Sequence, residues 1–107
     1  MKYALLAYNE PETDQRGPIR TDIAGVLARP SVTSWARLQP VESATTLSSA
    51  GGKTLLTDGP FVDSKEYLAG LIFVEAANLD EALAIAAELQ DMRTDGAIEV
   101  RPILEDG

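Results

Sequence analysis

A chain of 107 residues, 45% of them hydrophobic, has room for one hydrophobic core, and we expect a single domain over residues 1–107. A net charge of −8, with nine cationic residues scattered from Lys2 to Arg101 and no basic run, excludes the clustered phosphate contacts on which nucleic-acid binding rests. The lack of His and Cys excludes imidazole bases, histidine metal ligands, thiolate nucleophiles and disulfides.

Residues 2–8 are apolar on both alternating faces, with Tyr3, Leu5 and Ala7 on one and Ala4, Leu6 and Tyr8 on the other, which predicts a strand covered on both sides. The apolar run after Lys2 is too short for a membrane span or a signal sequence, so we expect a cytoplasmic protein without membrane attachment. Asn9 to Arg20 is polar and holds Pro11, Gly17 and Pro18; Thr21 to Arg29 predicts about two helical turns, stopped by Pro30. Val32 to Leu38 reads as a strand carrying Trp35 and Arg37. Thr45 to Ser49 and Lys53 to Thr57 then form a hairpin around Gly51-Gly52. Tyr67 to Glu75 repeats the pattern of a strand apolar on both faces. Asn78 as N-cap, Glu81 as its capping-box partner and a stripe of Leu79, Ala82, Leu83, Ala86 and Leu89 predict the longer helix. Asp95-Gly96 turns the chain into a last strand, Ala97 to Ile103, where Pro102 suits a sheet edge because proline cannot donate to a ladder.

This order predicts an α+β fold: a ferredoxin-like βαββαβ sheet with an inserted β-hairpin, strand order 4-1-3-2, and the two apolar strands in the middle. Both helices of such a fold cover one face of the sheet. The apolar residues of the other face need a second cover, and a second copy of the chain supplies it, so we expect a homodimer.

Three motifs resolve into local structure. Gly51-Gly52-Lys53-Thr54 ends like a phosphate-binding loop, but Leu47 stands where its first glycine belongs and a strand follows, so a hairpin turn is the better reading. Asp58, Asp63 and Glu66 gather three carboxylates in nine residues. Asp58 can fix the turn through Phe61 and Asp63 can cap a short helical turn with Glu66, which leaves no call for a metal. No serine sits in a nucleophile elbow or has a base to activate it. Tyr8, Trp35, Arg37, Asp58, Phe61, Lys65 and Tyr67 are the candidate pocket residues: the aromatics offer apolar area, Arg37 or Lys65 an anion contact, and Asp58 support for the loop. No catalytic residue, metal or cofactor is assigned.

The segment Thr57-Asp58-Gly59-Pro60-Phe61 with Lys65-Glu66 and the strand Gly70-Leu71-Ile72-Phe73-Val74 resembles the YCII-related proteins of the DGPF type. Met1-Lys2-Tyr3, Leu38-Gln39-Pro40, Ala44-Thr45-Thr46, Asn78-Leu79-Asp80-Glu81-Ala82 and Ile98-Glu99-Val100-Arg101-Pro102 fall in the family order. The resemblance implies a dimeric α+β barrel, a pocket between sheet and helices, and a place among bacterial proteins of largely unknown function, some encoded beside sigma factors. A His-Asp pair ascribed to related members has no counterpart in a chain without histidine. The stretch from Asn9 to Ser34 departs from the family pattern, which has a longer first helix there.

The leading expectation is therefore a homodimer binding a small organic molecule. One alternative is a cofactor-independent isomerase, lyase or oxygenase-like enzyme working through a carboxylate such as Asp58, and a second is a regulatory protein-interaction module.

Overall fold

The structure, a computed structural model, describes residues 1–10 and 17–105. Part of the polar stretch read between Asn9 and Arg20, including Pro11, lies outside the described residues. The elements run β1 (Lys2–Asn9), α1 (Thr21–Leu27), β2 (Val32–Arg37), β3 (Thr45–Ala50), β4 (Lys53–Asp58), β5 (Tyr67–Glu75), α2 (Leu79–Asp91) and β6 (Ala97–Pro102).

Four strands form one antiparallel sheet in the order β2-β5-β1-β6. Counting these four in chain order gives the expected 4-1-3-2 arrangement, with the doubly apolar β1 and β5 in the centre and Pro102 on an edge strand. The β3-β4 hairpin is a separate two-stranded sheet. Its strands meet at Ala50 and Lys53 around Gly51 and Gly52, whose φ values of 57° and 78° are those of a two-residue hairpin turn that side chains resist. At its base the Gly59 amide donates to the Ala44 carbonyl at 2.7 Å and the Thr46 hydroxyl donates to the Gly59 carbonyl at 2.8 Å.

Register divides the main sheet into two faces. Tyr3, Leu5, Ala7, Gly70, Ile72, Val74, Trp35, Arg37, Ile98 and Val100 point to the helix side; Ala4, Leu6, Tyr8, Leu71, Phe73, Ser34, Ala36, Glu99 and Arg101 point away. The buried core is confined to the helix side, where Tyr3, Leu5, Val26, Val74, Ala82, Ala86 and Leu89 pack together. A thickness of 19 Å fits one sheet and one helix layer, so the far face has no second layer.

The longer helix starts as expected, with the Glu81 amide donating to Asn78 Oδ1 at 3.0 Å. The Glu81 carboxylate, however, accepts from the Ala77 amide at 3.2 Å, one residue short of a regular capping box. Leu79 and Leu83 are exposed; Ile85 and Met92 instead join Ala82, Ala86 and Leu89 against the core. The expected helical turn at Asp63 is replaced by irregular chain, in which Asp63 accepts from the Tyr67 hydroxyl at 3.2 Å and the Glu66 amide donates to Ser64 Oγ at 3.3 Å. Tethering to the first residue of β5 keeps Asp63 from heading a helix.

Candidate functional site

The helix-side face of the sheet is covered unevenly. Around Tyr3, Leu5 and Val74 the side chains are large and buried, but towards the carboxyl end of β1 the facing pair is Ala7 and Gly70. Nothing larger than glycine fits freely at position 70, since a Cβ there would lie 3.3 Å from the Ala36 carbonyl oxygen. With α1 only seven residues long, these small residues leave a cavity of about 610 Å3 between the sheet, the Gly17–Arg20 lead-in, α1 and the edge strand β2. That volume lies within the range of small-molecule pockets.

Its walls are mostly apolar, with Ile19, Ile23, Leu27, Ile72, Leu89 and Ile98 around the floor and the Trp35 indole at the β2 side. The polar lining consists of Asn9, Gln39 and three guanidinium groups, Arg20, Arg37 and Arg93. Among the described residues no carboxylate lines the cavity, although the chain as a whole carries a net charge of −8.

The three arginines are held differently. Arg93, half-buried, donates to the Tyr8 carbonyl at 2.5 Å, to the Ala97 carbonyl and Gln90 Oε1 at 3.1 Å each, and to Asn9 Oδ1. It thereby ties the end of β1 to the end of α2 and the start of β6. Burial pushes its pKa below the ordinary arginine value, while Asp95 and Glu66 pull the other way. Arg20 donates to the Met92 carbonyl at 2.8 Å and pairs with Asp22 at 2.6 Å, placing a cation at the carboxyl end of α2, whose last turn carries none of its own. Arg37 donates to the Gly17 carbonyl at 2.7 Å through Nη1 alone, and no other described hydrogen bond uses its guanidinium. Of the three, Arg37 has the most capacity to receive a ligand's acceptor atoms.

Of the candidate residues read from the sequence, Trp35 and Arg37 line this cavity; Tyr8, Asp58, Phe61, Lys65 and Tyr67 do not. Tyr8 points to the far face of the sheet. Asp58 closes the hairpin opposite Thr45, and Phe61 and Lys65 are exposed on the connection that follows. Tyr67 is half-buried, and its hydroxyl pKa is pushed up by burial and then by Asp63. Among the described residues no group of three or more acidic side chains converges on a possible metal position. No described helix is long and apolar enough to cross a membrane.

Sequence reading missed Arg20 and Arg93. A signal was present: each stands just outside a helix, one before α1 and one after α2, where side chains reach the exposed ends of the helix layer. What pattern alone does not carry is that the two ends meet over the same part of the sheet.

The sequence profile of the YCII-related domain matches residues 1–105. The chain is also 35% identical, over 116 aligned positions, to an uncharacterized protein of Rhizobium meliloti (strain 1021), covering 96% of this chain and 92% of that one. An ordered match of this extent, together with the βαββαβ topology, shows that the chain belongs to the YCII-related family.

Proposed function

We propose that the protein is a homodimer whose protomers each bind a small organic anion, with an apolar or aromatic body, in the cavity between sheet and helices. The observation that carries this reading is the charge of the cavity. Three of the nine cationic residues of an acidic chain converge on one mostly apolar hollow that no described carboxylate lines. Arg37 would hold the anionic group through charge-assisted hydrogen bonds, Trp35 would stack on the body of the ligand, and Arg93 and Arg20 would supply a positive field from fixed positions. The second copy would cover the far face, where Leu6, Leu71 and Phe73 lie outside the core.

The observations favour binding over conversion by a carboxylate base, because Asp58 lies on the hairpin and outside the cavity. Trp35 is the single tryptophan, so its fluorescence reports on the wall of the site. Titration with benzoate should give a saturable change, and the neutral analogue benzamide should bind at least tenfold more weakly, since a hydrogen bond to a charged group contributes about 1.5–3 kcal/mol. Arg37→Gln should remove the preference. Equal responses to benzoate and benzamide in the parent protein would refute the anion site.

A further inference from the structure

We infer that the β3-β4 hairpin is a clasp that closes on the second copy of the chain, with Leu47 and Leu56 as its contact pair. This inference rests on the proposed homodimer and goes beyond it. Leu47 and Leu56 face one another across the hairpin and are 66% and 70% exposed, with Thr45, Ser49 and Thr54 on the same face. On the reverse face Thr46 and Ser48 of β3 are half-buried, while Leu55 and Thr57 opposite them on β4 are exposed, so the Leu47–Leu56 face is the more open of the two. Leu47, Leu55, Leu56, Phe61 and Val62 make up five of the eleven large hydrophobic side chains left exposed among the described residues. All five fall in one arm and the connection after it, and the arm pairs with no strand of the main sheet. A two-stranded arm of this kind is marginally stable in water without something to pack against.

Area favours a second copy as the occupant. The far face of the main sheet, four strands about 4.8 Å apart and some six residues long at about 3.4 Å each, presents roughly 400 Å2. A stable interface takes about 800 Å2 of accessible surface from each partner, and the exposed leucines of the arm add to what the sheet face supplies. Charge points the same way. Copies carrying −8 each repel, so contact is favoured through surface without net negative charge. Asp58, at the base of the hairpin, is the one charged residue on its open face, and on the far face of the sheet Ala4, Leu6, Ala36, Leu71 and Phe73 lie among two cations, Lys2 and Arg101, that balance two anions, Glu75 and Glu99. Apolar surfaces of this kind suit an isologous contact, in which each copy gives and receives the same arm.

The test is sedimentation equilibrium of the full chain, comparing the parent protein, the double variant Leu47→Thr/Leu56→Thr and the control Leu83→Thr. Threonine keeps the strand propensity of the arm, and neither hairpin leucine belongs to the core, so circular dichroism should be unchanged. Leu83, 44% exposed, is a surface leucine of α2 away from the hairpin. The expected result is a dimeric parent and control, with the dimer dissociation constant of the double variant raised at least tenfold. A dimeric parent whose dissociation constant the double variant leaves unchanged overturns the clasp and spares the dimer. A monomeric parent overturns both.

Discussion

Gly96 sits where the chain leaves α2 for β6 with φ at +77°, and a Cβ there would run into the Tyr8 carbonyl oxygen and lie 2.8 Å from Arg93 Nη2. Backbone strain and the loss of the Arg93 tie both follow from adding one carbon. Gly96→Ala should therefore lower stability by at least about 2 kcal/mol. Gly25, inside α1 with open space around it, is the opposite case, and Gly25→Ala should raise stability by about 0.5–1 kcal/mol. Urea unfolding of the two variants checks both signs, and a destabilising Gly25→Ala would mean that the α1 backbone is not helical at that position. At this scale the sequence was legible wherever a residue acts through its immediate neighbours. The Asp95-Gly96 turn, the Gly51-Gly52 turn and the Asn78 cap were readable because each needs a particular residue type within a few positions. The cavity arginines were only partly readable: Trp35 and Arg37 come from one strand, whereas Arg20 and Arg93 are 73 positions apart and meet only through the fold.

The two helices share a tie between elements. Arg29, just after α1, forms a two-pronged ion pair with Glu88 of α2. Hydrogen bonding to Arg29 holds the Glu88 carboxyl below its ordinary pKa, against a smaller opposing effect of burial, and the same pairing raises Arg29. A carboxyl group with a depressed pKa in the folded state stabilises above the unfolded glutamate value of about 4.3, and that contribution disappears as pH falls through the lower folded value. Both groups are at the surface, so the effect is small and weakened by salt. Melting curves of the parent and Glu88→Gln should differ at pH 7 and converge as the medium is acidified past this range. A gap that persists unchanged at low pH would show that Glu88 contributes by packing and not by charge. Among the elements, strand and helix positions followed from periodicity, but the exact face of α2 did not. An alanine-rich helix offers neighbouring stripes of similar apolarity, and contact with a narrow sheet selected the one through Ile85 and Met92 over the one through Leu79 and Leu83. The segment at Asp63 was misread for a different reason, because its partner, Tyr67, belongs to the following strand.

For the whole molecule, the order of strands was legible because two doubly apolar strands belong in the centre and a proline-bearing strand at an edge, and the ferredoxin-like βαββαβ pattern selects 4-1-3-2 from the two arrangements that allow it. The cavity was not, since it arises where a short α1 and the Ala7–Gly70 pair leave space together, and neither feature alone marks a hollow. The molecule that results is thin and extended. Its Cα radius of gyration of 15.6 Å exceeds the value of about 13 Å for a compact chain of this length. The apolar residues Leu6, Leu71 and Phe73 on one face of the sheet and Leu47 and Leu56 on one face of the hairpin lie outside the core, while the cationic cavity lies on the helix-covered side of the sheet. In the proposed dimer the second copy covers the exposed apolar surfaces and each protomer holds an acid. Native mass spectrometry of the gently purified protein, set against its mass after denaturation, tests that directly. The expected native species has twice 11.4 kDa plus the mass of a small acid, released when the chain is denatured. A native species of 11.4 kDa, or a dimer from which denaturation releases nothing, would contradict it.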